Sequence, residues 1–182
     1  MSARPNLDFE QLILQLSLAL SPAEAKCPKQ AVPLIKKMEG MHKLRNGMVY
    51  PYLCPARVPT IGYGSTGKHV TMGMQPITPE TAEKWLMSTL EQFASGVAKE
   101  VPGVVTDDSR WSGLTSFVYN VGIGAFKRSR VRVYCREGRW SEAAEALLMW
   151  NKAGGKVLAG LTARRKLEAA LLLHLITLLA QV

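Results

Sequence analysis

Three side chains in the first third of the chain, Glu39, Cys54 and Thr60, are of types that together could break a bond between sugars. Cleaving a glycosidic bond requires a protonated acid that delivers its proton to the leaving oxygen. It also requires an opposing group that activates water or steadies the oxocarbenium-like sugar. The three residues bracket a passage from helix to strand, so a hairpin folded back over the helix end would place them around one cleft. Spacing alone is only suggestive. A glutamate at a helix end is ordinarily solvated, a lone cysteine can be a small buried hydrophobe, and a threonine can be simply a strand residue. His42, three residues after Glu39, is either a proton partner or an exposed histidine.

The elements that must position these groups can be read from pattern. Val32, Leu34, Ile35 and Met38 recur at helical spacing and stop near Gly40, which puts Glu39 at a helix C-terminus. The helix dipole disfavours negative charge there, so an acid in dry surroundings would tend to keep its proton. Between Gly40 and Gly73 the helix formers give way to glycine, proline, tyrosine and threonine, and this stretch should hold the strands. Val58 to Tyr63 reads as a short strand, and Asn46-Gly47 is a hairpin-turn signal. Thr78 followed by Pro79 caps a helix reaching about Val101. Further helices are expected over Asp108 to Asn120, Ala125 to Glu137, Ser141 to Trp150 and Thr162 to Leu179, with Gly138 closing one and Gly154-Gly155 marking a loop. Ala169 to Ala180 reads as a buried core helix, and Leu12 to Leu20 as a short docking helix. Both are shorter than a membrane span of about 20 residues. The fold class expected is α+β, mostly helical, with a small β-hairpin lobe and a helical lobe around a cleft. Residues 1–30 form an N-terminal extension and 31–182 the main domain.

Leu34-Ile35-Lys36-Lys37-Met38-Glu39-Gly40 and Pro59-Thr60-Ile61-Gly62-Tyr63-Gly64 resemble the two halves of the active-site signature of phage lysozymes, glycoside hydrolase family 24. Asn120-Val121-Gly122-Ile123-Gly124-Ala125-Phe126 is similar to that family's helix-turn-helix element. Trp150 to Leu158, with Gly160-Leu161 and Arg164-Arg165, resembles its C-terminal signature in lambdoid-type endolysins. The resemblance covers about Val32 to Leu173. It implies a lysozyme-like fold that hydrolyses the β-1,4 bond between N-acetylmuramic acid and N-acetylglucosamine in bacterial peptidoglycan. It further implies Glu39 as general acid, Thr60 holding the attacking water, and Cys54 where the family usually has aspartate. Five residues separate Cys54 from Thr60, as in the family. Asn120 falls where the family places a polar residue toward the sugar, and it is equally a helix-end residue. The Glu39 to Cys54 interval is longer than usual, with His42 to Val49 resembling an insertion. A free thiol has a pKa of about 8.5 and is mostly neutral unless its site favours the thiolate. Base, electrostatic stabiliser and nucleophile all stay open for it.

The 182 residues are 47% hydrophobic and 20% charged, enough for one compact core, and the net charge of +9 favours anionic partners. Lys127, Arg128, Arg130 and Arg132 could form a nucleic-acid patch, but no recognised module or interleaved stacking aromatics accompany them. Attraction to an anionic wall polymer fits better, and no nucleic acid is expected. Trp85, Trp111, Trp140 and Trp150 sit among apolar residues at helical spacing and are read as packing. Cys27, Cys54 and Cys135 are too few for a disulfide framework or a paired-ligand zinc site, so at most one internal bridge is possible. No metal or cofactor is expected. The resemblance also implies a monomer without a stable membrane span. It would wait in the host cytoplasm until lysis and reach the periplasm or cell wall through a phage holin.

Overall fold

The computed structural model describes residues 27–54 and 56–176. The expected docking helix at Leu12 to Leu20 lies outside them. Helix α1 (Ala31–Glu39) buries Ala31, Leu34 and Ile35. It ends where Gly40, at φ 65°, donates its N–H to the Lys36 carbonyl at 3.0 Å. Strands β1 (Leu44–Arg45) and β2 (Met48–Val49) pair antiparallel, Arg45 opposite Met48. The loop between them is the predicted Asn46-Gly47, with φ 48° and 74°. Positive φ at both positions is the backbone twist that a two-residue hairpin turn demands.

Strands β3 (Tyr52–Leu53) and β4 (Pro59–Thr60) form a second antiparallel pair, Tyr52 opposite Thr60. The strand predicted from Val58 to Tyr63 is thus shorter, continuing only as a bridge between Ile61 and Ser65. Gly62 and Gly64, at φ 60° and 91°, turn the chain out of the extended region.

Helix α2 (Pro79–Glu100) starts at the predicted cap, where Thr78 Oγ1 accepts from the Thr81 N–H at 3.2 Å. It runs through both cores. Leu86 and Leu90 pack with Ile35, Val49, Ile61 and Val70 beneath the strands. Further along, Ala94 and Val97 pack with Trp111, Leu114, Phe117, Phe126 and Leu147 among the helices. The Trp111 indole N–H donates to the Ala94 carbonyl at 3.1 Å, and the other three tryptophans pack partly buried against the two cores.

After a 3₁₀ turn (Val104–Thr106), helix α3 (Asp108–Val121) starts at Asp107, whose carboxylate accepts from the Arg110 N–H at 3.0 Å. The single helix predicted over Ala125 to Glu137 is two, α4 (Ile123–Lys127) and α5 (Arg130–Arg136). Ser129 divides them, because its hydroxyl donates to the Phe126 carbonyl at 2.8 Å and accepts from the Arg132 N–H at 3.2 Å. A side chain satisfying both flanking ends replaces the helical bonds that continuity would need.

Helix α6 (Trp140–Leu148) is followed by a small hairpin, β5 (Lys152–Ala153) and β6 (Lys156–Val157), turned by Gly154-Gly155 where a loop was expected. Helix α7 (Ala159–Leu172) begins earlier than predicted and stops well before Leu179. Ala169, Leu171 and Leu172 are buried, as the core-helix reading required, while Leu173, His174 and Leu175 are exposed. The chain leaves the helix at His174, φ 56°, whose Nε2 lies 3.0 Å from Asp107. Residues beyond 176 in the predicted run lie outside the described part. Among the described residues, no helix is long and apolar enough to cross a membrane.

Candidate active site

Glu39 is the last residue of α1, as the periodicity predicted. The condition on which it would keep its proton, dry surroundings, is not met. Its side chain is a quarter exposed, and its Oε1 accepts from Arg164 Nη1 of α7 at 2.6 Å. Its other oxygen faces Gly64, where an added Cβ would lie 3.7 Å from Oε2 and 3.8 Å from the Tyr119 hydroxyl. Position 64 thus leaves the carboxyl open on the strand side. Tyr119 in turn donates to the Tyr63 carbonyl at 2.6 Å, tying α3 to the strand lobe beside the carboxyl.

Cys54 and Thr60 come together through the β3–β4 pairing. Residues directly opposite in an antiparallel pair share a face, and alternation returns every second residue to it. Tyr52 and Thr60 are opposite, and Cys54 follows Tyr52 by two. The turn is closed by the Cys54 N–H to the Val58 carbonyl at 3.1 Å and the Arg57 N–H back to the Cys54 carbonyl at 2.8 Å. Thr60 is buried, and its hydroxyl donates to the Val58 carbonyl at 2.9 Å.

The thiol of Cys54 is held below its ordinary value, chiefly by the Val58 backbone N–H, with burial opposing as the next largest effect and the Ala56 N–H adding to the lowering. Hydrogen-bond donors aimed at sulfur favour the charged form. The other cysteines go the opposite way: burial pushes Cys27 up to about 11 and Cys135 up to about 12. All three are free.

Tyr52 connects the two halves. Its phenol is raised by burial, then by the charges of Glu39 and Cys54, so both groups act on one side chain. The His42 ring lies against the same tyrosine, centroids 5.4 Å apart, and His42 is exposed. Asn120, near the end of α3, presents its Oδ1 to Arg165 Nη2 at 2.7 Å.

Sequence reasoning missed Tyr52, Tyr119, Ser116 and Glu168, and it gave Arg164 no role of its own. The period-two relation of Tyr52 to Cys54 was a usable signal. So was the spacing of Glu168, four residues after Arg164 and three after Arg165 on one helix. The basic cluster is partly neutralised, since Lys127 and Arg132 pair with Glu100 at 3.0 and 2.7 Å. Among the described residues, no group of three or more His, Cys, Asp and Glu side chains could hold a metal ion.

Known proteins share this arrangement of sequence and fold. An endolysin of Bacillus phage B103 is 40% identical over 142 residues, covering 78% of this chain and 52% of the phage protein, so the chain spans about half the length of that relative. The solved endolysin from Escherichia coli O157:H7 phage FAHEc1 superposes with a TM-score of 0.71 at 32% identity, over 83% of this chain and 95% of that one. The muramidase domain of SpmX from Asticaccaulis excentricus gives a TM-score of 0.69 at 32% identity, over 81% and 97%. The family model described as phage lysozyme matches residues 36–168, most of the chain, and with these likenesses it establishes that this protein belongs to the phage lysozyme family.

Proposed function

We propose that the chain is a lysozyme of the endolysin type that hydrolyses the β-1,4 bond between N-acetylmuramic acid and N-acetylglucosamine in bacterial peptidoglycan. Glu39 is the general acid, Thr60 holds the attacking water, and Cys54 takes the aspartate's place. The observation that carries the reading is the β3–β4 pairing, which brings Cys54 and Thr60 to one turn, where the Val58 and Ala56 backbone N–H groups lower the Cys54 thiol. A thiol so surrounded can carry negative charge nearer neutral pH and so supply the opposing group that a lone glutamate lacks. Asn120 contacts the sugar. Its carbonyl oxygen is engaged by Arg165, which leaves the NH₂ group as its free donor.

The catalytic unit is residues 31–182, acting as a monomer, with 1–30 as an extension. The protein waits in the host cytoplasm and reaches the wall with the help of a holin. The test combines one substitution with mass spectrometry of digested walls. Glu39→Gln keeps the shape but cannot donate a proton, a loss that costs about 10²–10⁴-fold. Fragments with reducing ends from the parent, and almost none from the variant, are expected. Anhydro-sugar ends would mean a lytic transglycosylase, and parental lysis by Glu39→Gln would remove Glu39 from the role.

A further inference from the structure

Glu168 is fully buried, and the reaction set out above does not use it. A carboxyl taken out of water is costly unless charges and hydrogen bonds meet it. Two buried guanidiniums supply opposing charge: Arg164 Nε donates to Oε1 at 3.0 Å, and Arg165 Nε lies 3.0 Å from Oε2 as a charge contact without hydrogen-bond alignment, so that burial, which pushes the carboxyl up, is opposed by both arginines and Ser116. Neighbouring arginines repel. Glu168 stands on the face of α7 reached from both, four residues after one and three after the other, and gives each an oxygen. Ser116 of α3 donates to Oε1 at 2.7 Å, while Arg164 Nη2 donates to the Ser116 carbonyl at 2.9 Å. The helices come this close because residue 113 is glycine. A Cβ there would lie 3.0 Å from the Glu168 carbonyl oxygen and 3.2 Å from Leu171 Cβ.

Each arginine has a second end. Arg164 reaches Glu39 Oε1 at 2.6 Å, and Arg165 reaches Asn120 Oδ1 at 2.7 Å with its guanidinium 4.9 Å from the Phe117 ring centre. Planar guanidiniums transmit orientation well, because their donors diverge at fixed angles. We propose that Glu168 is a positioning residue: by dividing one carboxylate between Arg164 and Arg165, it orients Glu39 and Asn120 together. Without its charge the two guanidiniums lose their common anchor and push apart, and both far ends move.

The inference rests on the roles proposed for Glu39 and Asn120, so the parent's release of reducing ends is the control. Steady-state kinetics on soluble peptidoglycan fragments are measured for Glu168→Gln, Glu168→Asp and Asn120→Ala, with circular dichroism to verify folding. Glu168→Gln is expected to lower kcat by about 10²-fold, the scale of a misplacement near 1 Å, and to raise KM. Glu168→Asp, which keeps the charge on a shorter arm, should fall between it and the parent. In an Asn120→Ala background the KM effect of Glu168→Gln should vanish, because that lever then ends on nothing.

A folded Glu168→Gln with parental kcat and KM, or one that only melts earlier, overturns the proposal. If Glu168→Gln does not fold, Glu168→Asp decides, and parental kcat in that variant overturns it equally. An active parent with an unaffected variant leaves the enzymatic reading standing. A parent that releases no reducing ends brings down both.

Discussion

Replacing Cys54 by aspartate exchanges a thiol for a carboxyl at the same place and changes the pH range over which that place is charged. The surrounding backbone N–H groups of Val58 and Ala56 hold the parent thiol below its ordinary value. The thiolate is present above its midpoint and is lost as pH falls through it. Below that midpoint its population drops tenfold per pH unit, whereas an aspartate with an ordinary pKa of about 3.9 stays ionised down to about pH 5. If the charged form handles the water, the ratio of Cys54→Asp rate to parent rate climbs with acidification once the pH is below the thiol's midpoint, by up to about tenfold per unit until the aspartate itself begins to protonate. The assay is clearing of a purified wall suspension at constant ionic strength, with Cys54→Ser as the uncharged control. A ratio that stays flat from pH 7 to pH 5, with both proteins folded, refutes the reasoning: the residue would then act without its charge, as packing.

Two further outcomes follow from the same geometry. Iodoacetamide at pH 7 should modify Cys54 first, because its thiol is lowered while Cys27 and Cys135 are raised to about 11 and about 12. Peptide mapping checks the order, and the singly labelled protein should be inactive. Gly62→Ala should cost about 1–2 kcal/mol for a side chain at φ 60°. Overpacking adds about 1–3 kcal/mol, since the new Cβ meets Ala82 Cβ at 3.0 Å. Gly47→Ala, with φ 74° and nothing within 4 Å, carries only the first cost. Thermal melts should therefore place Gly62→Ala below Gly47→Ala, at about 2–4 °C per kcal/mol for a chain of this size. Equal melting temperatures would deny the close approach of the turn to α2.

What the sequence disclosed was local chemistry. Thr78-Pro79 and Asn46-Gly47 carry their own backbone instructions, and both stand where they were read. Ser129 misled because a serine can lie inside a helix or cap one, and the apolar spacing of Phe126, Val131 and Cys135 runs on past it. The last helix was overextended because leucines continue beyond its end. Histidine tolerates the left-handed region better than most residues, and His174 turns the chain there without a glycine to announce it. Glu39, Cys54 and Thr60 stood out as candidates because they sit close together in sequence within recognisable words. Arg164 and Glu168 could not be placed beside them, because no local pattern tells a helix near the end of the chain which carboxyl near the beginning it will meet.

The ion pair between Glu39 and Arg164 joins residues 125 positions apart. Closing a flexible loop of that length costs about 4 kcal/mol of chain entropy by the logarithmic rule, so the contact forms late and only once much of the intervening chain is organised. A ribosome adding roughly 5–20 residues per second needs about 6–25 s to travel from the first partner to the second. Throughout that interval the nascent chain carries its acid without the arginine that holds it. The site is therefore completed from the last described helix, and a chain truncated before residue 164 keeps both halves of the active-site signature but lacks the arginine that meets Glu39.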